Sequence, residues 1–213
     1  MSGNGVLERV CAHGVVPVVV VDDLARVEGL GAALKAGGLP LAEVTFRTGQ
    51  AINALRILAL DAELIVGAGT VVRPEQVDAA QAAGAKFVVM PGFNRRVVDR
   101  CREIAMPVIP GICTPSEVIA ALETGIELMK FFPAEASGGP EMVRALGAPF
   151  PEIRLIPTGG VNGANAATYL GLHEVAAVGG SWMVAREMIR DGDFASITRL
   201  SAEAVQIASE ARR

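Results

Sequence analysis

LAEVTFRTGQAINALRILALDAELIVGAGT (residues 41–70) holds two short apolar runs, Leu41–Val44 and Leu64–Val66, joined by a segment of helical period, Gln50–Leu60. Short runs of this kind suit parallel strands buried on both faces, with the connecting helix packed across them. The same unit recurs along the chain. Further strands are expected at Val15–Val21, Phe87–Met90, Val108–Ile109, Glu127–Met129, Ile153–Ile156 and Val175–Val178. Helices are expected at Asp23–Lys35, Pro74–Ala83, Asn94–Ile104, Pro115–Glu123, Gly139–Leu146, Gly163–Leu170 and Phe194–Ala211. Strands follow one another at roughly 20–25 residues, the spacing of a compact βα unit. Eight units in succession with no linker predict an α/β fold, a compact (β/α)8 TIM barrel forming a single domain over residues 1–213. The Val6–His13 segment reads as a short helix across the barrel floor. The rival, an open doubly wound sheet, usually carries a glycine-rich turn after its first strand, whereas Val21-Asp22-Asp23-Leu24 has no glycine.

Hydrophobic residues make up 51% of the 213 residues, and the mean hydropathy is +0.42. A membrane protein and a parallel α/β protein would both be this apolar. The longest uncharged stretch, Leu155 to His173, is broken by Pro157, Asn162, Asn165 and several glycines, so it reads as loop and turn rather than a bilayer span. The opening residues lack a basic segment followed by an apolar one, and a cytoplasmic protein is expected. A net charge of −4 with interspersed signs leaves no basic footprint for nucleic acid. Cys11, Cys101 and Cys113 lack C-x-x-C spacing and read as reduced thiols. With only His13 and His173, both read as surface or capping residues, no metal site and no cofactor are expected.

Catalytic groups of such barrels stand where the strands end at the C-terminal face. Lys130 lies there, between Leu128-Met129 and Phe131-Phe132, in the most apolar company of any lysine of the chain. An unpaired buried ammonium is costly, and a lysine that sheds its proton presents an amine able to attack a ketone. The same position also suits a lysine whose stem is buried and whose ammonium reaches the rim or a carboxylate. Glu43, at the end of the second strand, can exchange protons with a substrate in that mouth, or can serve only as the ion-pair partner of Lys130. Arg47 and Thr70 suit a carboxylate or carbonyl, and Arg47 equally suits a solvated loop. Gly159-Gly160 and Gly179-Gly180, with Ser181 and a short helix over Trp182–Ile189, fall where barrels often bind phosphate; tight turns would explain the glycines too. Cys113, beyond the fifth strand, reads as a packed thiol.

Together these segments, Glu43-Val44-Thr45-Phe46-Arg47-Thr48, Gly67-Ala68-Gly69-Thr70, Pro91-Gly92, Pro110-Gly111, Lys130-Phe131-Phe132-Pro133-Ala134-Glu135, Pro157-Thr158-Gly159-Gly160 and Gly179-Gly180-Ser181-Trp182, closely resemble the 2-keto-3-deoxy-6-phosphogluconate (KDPG) aldolases, also known for 4-hydroxy-2-oxoglutarate aldolase activity. The resemblance runs in order from about Val6 to the C-terminus, and the Lys130–Glu135 segment is its most specific part. It implies a homotrimer and a metal-free class I aldolase cleaving a phosphorylated keto-acid reversibly to pyruvate and glyceraldehyde 3-phosphate. By motif, it implies Lys130 as Schiff-base lysine and Glu43 as general acid/base. Arg47 and Thr70 match the carboxylate contacts, and Pro91 and Phe132 the walls about the pyruvyl group. Thr158, Gly159, Gly160, Gly180 and Ser181 match the contacts to sugar hydroxyls and phosphate. Thr158 favours the gluconate-derived substrate over its galactonate-derived epimer, whose aldolases tend to carry an aliphatic residue there. A phosphosugar isomerase or epimerase with Glu43 as base, and a non-catalytic phosphosugar-binding barrel, are the rival functions.

Overall fold

The computed structural model describes residues 3–212. After α1 (Gly3–Ala12), strands and helices alternate: β1 (Val15–Val19), α2 (Val27–Ala36), β2 (Leu41–Thr45), α3 (Ala51–Ala59), β3 (Ile65–Gly69), α4 (Pro74–Ala82), β4 (Phe87–Val89), α5 (Arg95–Glu103) and β5 (Val108–Ile109). They continue with β6 (Gly111–Ile112), α6 (Pro115–Leu122), β7 (Leu128–Phe131), α7 (Gly139–Gly147), β8 (Arg154–Pro157), α8 (Ala166–Leu170), β9 (Val178–Gly180), α9 (Arg186–Asp191) and α10 (Phe194–Ala211). Helix starts follow local chemistry. Thr114 caps α6 in a reciprocal box with Glu117 and Pro115 at its first position, Asn94 caps α5, and Asp193 caps α10.

All strand pairs are parallel, in a six-stranded sheet ordered β5-β4-β3-β2-β1-β9 and a three-stranded sheet ordered β6-β7-β8. β5 and β6 are one run interrupted at Pro110, which has no N–H to give but whose carbonyl accepts from Lys130 N at 2.8 Å. On the other side, β8 meets β9 through isolated bridges, Leu155 to Val175 and Thr158 to Gly179. The strands thus curl into a (β/α)8 barrel whose hydrogen bonding is thinned at two seams. The expected fifth strand, Val108–Ile109, is β5 itself, with β6 continuing the run beyond Pro110, and the expected last strand, Val175–Val178, overlaps the observed β9 only at Val178. Several strands outrun their expected ends, through Thr45, Gly69, Phe131 and Pro157, while β1 stops at Val19. A strand whose inner face holds polar and small residues near the mouth loses its apolar signature there without losing its ladder.

Alternation along each strand sorts side chains into two cores. Outward residues such as Val15, Val19, Val44, Val66, Val88, Met129 and Leu155 pack beneath the helices. Inward residues Val16, Leu41, Ile65, Phe87, Val89, Ile109, Ile156 and Ala177 fill the barrel, with Val10 of α1 buried among them and Val6 and Leu7 against them. α1 therefore closes the floor, as the sequence suggests.

Candidate active site

Counting by twos from Leu41 and Leu128, Glu43 and Lys130 share the inward face. They lie within β2 and β7, not at the strand ends where the sequence reading put them, and are only 2% and 5% exposed. Lys130 Nζ donates to Glu43 Oε1 at 3.0 Å and Oε2 at 3.4 Å across 87 residues of chain. Beneath the pair lies a cavity of about 10 Å3, floored by Val16, Phe87, Val89, Ile109 and Ile156. Two opposite charges on so apolar a floor persist only because each satisfies the other. Space for Glu43 comes from Gly69, since a Cβ there would stand 2.3 Å from Glu43 Oε1. Lys130 Nζ also lies 5.5 Å from the centroid of Phe132, the next residue on its face.

Above the pair, the rim is polar. Thr45 and Thr48 donate to Val19 O at 2.9 Å and Val21 O at 2.6 Å, tying the mouth ends of β1 and β2 together. Arg47 is exposed, and its Nε points to Thr70 Oγ1 at 3.4 Å, too long to hold it firmly. Thr70 has φ of 59°, a left-handed conformation that a β-branched residue adopts only under constraint. Half-buried Pro91 and Phe132 flank the mouth, and the Phe132 ring faces Gly159, 3.2 Å from where a Cβ would sit.

The two glycine pairs differ. Gly159 and Gly160 have φ of 97° and 84°. Gly159 O accepts from Glu135 N at 3.0 Å, and Gly160 O from the side-chain amides of Asn162 and Asn165, each at 3.2 Å. With the carbonyls engaged, the Gly160 N–H has no acceptor among the described residues, as in an anion-binding turn, while the bridge between Thr158 and Gly179 turns the Gly159 N–H toward Gly179 O. Gly179-Gly180, in contrast, forms no turn: Gly180 is a buried strand residue beneath the Trp182 ring, and Gly179 leaves room for buried Thr158, whose Oγ1 donates to Ile156 O at 3.2 Å. Ser181 is exposed and its hydroxyl caps nothing. The helix expected over Trp182–Ile189 is a single 3-10 turn, Trp182–Val184, separated from α9 by extended Ala185.

A model of the KDPG and KHG aldolase family matches residues 6–200. The chain belongs to that family. It is 46% identical over 202 residues to the 2-dehydro-3-deoxy-phosphogluconate aldolase of Treponema pallidum, covering 94% of this chain and 95% of the relative. Identity to the KHG/KDPG aldolase of Escherichia coli (strain K12) is 43% over 193 residues, 90% of this chain and 91% of that one. Among solved structures, the KDPG aldolase from Legionella pneumophila, with pyruvate captured as a covalent carbinolamine intermediate, superposes with a TM-score of 0.90 at 39% identity, covering 95% and 97% of the two chains.

This aldolase-family chain also brings together groups that sequence reasoning passed over. Asp22, after β1, takes two hydrogen bonds from Arg186, 164 residues away, one of them from Nη2 at 2.7 Å; the guanidinium holds its carboxyl below the usual range. Glu135 accepts from the hydroxyl of Tyr169, whose own ionisation is pushed up by burial and by that carboxylate. Neither pairing has a local signature, although Glu135 lies inside the motif and Tyr169 is the only tyrosine. The Cys101 thiol is buried and pushed up to about 12 by desolvation. Cys113 is half-buried, its N–H bonded to Glu117 Oε2 at 2.8 Å. His13 is half-buried, with proton affinity lowered by burial and then by Arg9, and His173 is exposed. No group of three or more His, Cys, Asp or Glu able to hold a metal ion occurs among the described residues, and no helix there is long and apolar enough to cross a membrane.

Proposed function

We infer that this aldolase works by a Schiff base on Lys130, cleaving 2-dehydro-3-deoxy-6-phosphogluconate to pyruvate and glyceraldehyde 3-phosphate without a metal. The observation that carries this is the buried Lys130–Glu43 pair, set between an apolar floor and a polar rim in a chain of this family. Glu43, 3.0 Å from Nζ, can take the ammonium proton, so that the amine attacks the C2 ketone. Glu43 returns that proton to the carbinolamine hydroxyl, which leaves as water and gives an iminium that draws electrons as the C3–C4 bond breaks. Glu43, directly or through a water, removes the C4 hydroxyl proton, and glyceraldehyde 3-phosphate departs. Protonation of the enamine at C3 and hydrolysis of the imine then release pyruvate and restore the lysine.

Arg47 and Thr70 receive the substrate carboxylate, with Pro91 and Phe132 as walls. The Gly159-Gly160 turn takes the phosphate on the free Gly160 N–H, helped by the Ser181 hydroxyl, and Gly180 acts by letting Trp182 pack close. Thr158 offers a hydroxyl to the sugar chain and favours the gluconate-derived substrate. Cleavage of 4-hydroxy-2-oxoglutarate is a side activity, and the working form is a cytoplasmic homotrimer. The test is pyruvate release from both epimeric phosphorylated substrates, with and without a chelator. The account expects chelator-insensitive turnover, faster with the gluconate-derived epimer. Absence of pyruvate from either epimer, or loss of activity in chelator, would overturn it.

A further inference from the structure

Tyr169, on α8, is fully buried, yet its hydroxyl is directed at the carboxylate of Glu135 in the segment that follows β7. Its partner, Glu135, touches the Gly159-Gly160 turn twice. The Glu135 N–H donates to Gly159 O at 3.0 Å, and its Cβ and Cγ lie under Gly160, 2.6 and 2.4 Å from where a Cβ would be. Glu135 thus forms the seat of the turn, and its carboxylate is the free end of that seat. Left unbonded, a long carboxylate side chain on a surface loop samples several rotamers. A charge-assisted bond from a phenol anchored in the core removes that freedom. Gly139, at the start of α7, completes the pocket, since a Cβ there would lie 3.5 Å from the Tyr169 hydroxyl and 3.7 Å from Glu135 Oε1.

We propose that Tyr169, through Glu135, is a positioning residue for the phosphate end of the substrate, holding the Gly159-Gly160 turn and the free Gly160 N–H in place. The proposal rests on the aldolase reading above and adds a part of the fold that never touches substrate. Asn162 and Asn165 hold the turn from the Gly160 carbonyl, and Tyr169–Glu135 holds it from below. Among the described residues, neither Tyr169 nor Glu135 hydrogen-bonds to Lys130 or Glu43, so chemistry and phosphate grip can be tested separately. Burial and the neighbouring carboxylate keep the phenol protonated, so the donor persists across the neutral pH range.

Tyr169→Phe removes only the hydroxyl. Steady-state cleavage of the phosphorylated substrate is compared with that of 4-hydroxy-2-oxoglutarate, which has no phosphate, alongside borohydride trapping of pyruvate on Lys130. KM for the phosphorylated substrate is expected to rise about tenfold, the size of a lost hydrogen bond to a charged group, with kcat, the unphosphorylated substrate and trapping unchanged. An unchanged KM, or equal losses on both substrates, overturns the proposal. Should Tyr169→Phe fail to fold, Glu135→Ala is expected to show the same split and Glu135→Gln, which keeps an acceptor for the phenol, to restore it; failure of Gln to restore overturns the clamp. Calorimetric binding of inorganic phosphate, weaker in Tyr169→Phe, tests the turn even if wild-type protein traps no pyruvate, an outcome that would sink the aldolase reading alone.

Discussion

Replacing either member of the Lys130–Glu43 pair tests how the barrel tolerates two charges in its interior. Lys130→Met leaves the Glu43 carboxylate 2% exposed with no cation beside it, and Glu43→Met strands an ammonium that is 5% exposed. Removing one partner of such a pair costs about 3–5 kcal/mol, because the other charge remains buried and unpaired. Replacing both with apolar side chains of similar size is neutral or stabilising by ~1–4 kcal/mol. Met suits both sites, since its flexible stem can follow the space beside Gly69 and Phe132. The cycle therefore closes with a coupling of at least ~6 kcal/mol, and the double variant should be at least as stable as the unaltered protein while being inactive. Urea unfolding of all four proteins with shared slopes measures this. Single variants that each lose less than ~1 kcal/mol, or losses that add in the double variant, would refute the buried-pair reasoning.

Gly69→Ala should push the Glu43 carboxylate off Lys130, since the new Cβ would fall 2.3 Å from Oε1; kcat is expected to drop about 100-fold with pyruvate release as the assay. Thr70→Gly should relieve a left-handed backbone that costs ~1–3 kcal/mol, leaving the melting temperature equal or higher while KM rises through loss of the hydroxyl. His13 binds protons less readily folded than unfolded, so the unfolded chain takes up more protons in the window just below 6.5, and stability falls as pH drops through it. His13→Asn should flatten that part of the melting profile and leave the part above it unchanged.

The barrel was legible because residues 41–70 and their repeats place apolar runs and helical stretches at βα spacing, and because Val6, Leu7 and Val10 mark α1 as a floor. Strand ends were less so. Glu43, Gly69 and Lys130 interrupt the apolar pattern where the ladder continues, because the inner face near the mouth is chosen for the site rather than for packing. Lys130 and Glu43 could be named from their surroundings, but their 3.0 Å contact joins strands far apart in sequence, and only closure of the barrel produces it. Gly179-Gly180 misled for a related reason: glycine serves close packing as readily as turns, and here Thr158 and Trp182 occupy the space that side chains would need. Asp22–Arg186 and Glu135–Tyr169 are tertiary pairings that join a residue following a strand to one on a distant helix, invisible to any local pattern.

The central claim is a covalent bond between Lys130 and the keto-acid. Incubation with pyruvate and borohydride, followed by digestion and mass analysis, tests it most directly. The account predicts the mass of one reduced pyruvyl group on the peptide holding Lys130, absent from Lys130→Ala and still formed, more slowly, in Glu43→Gln. An unmodified Lys130, or a modified Lys130→Ala protein, would contradict it.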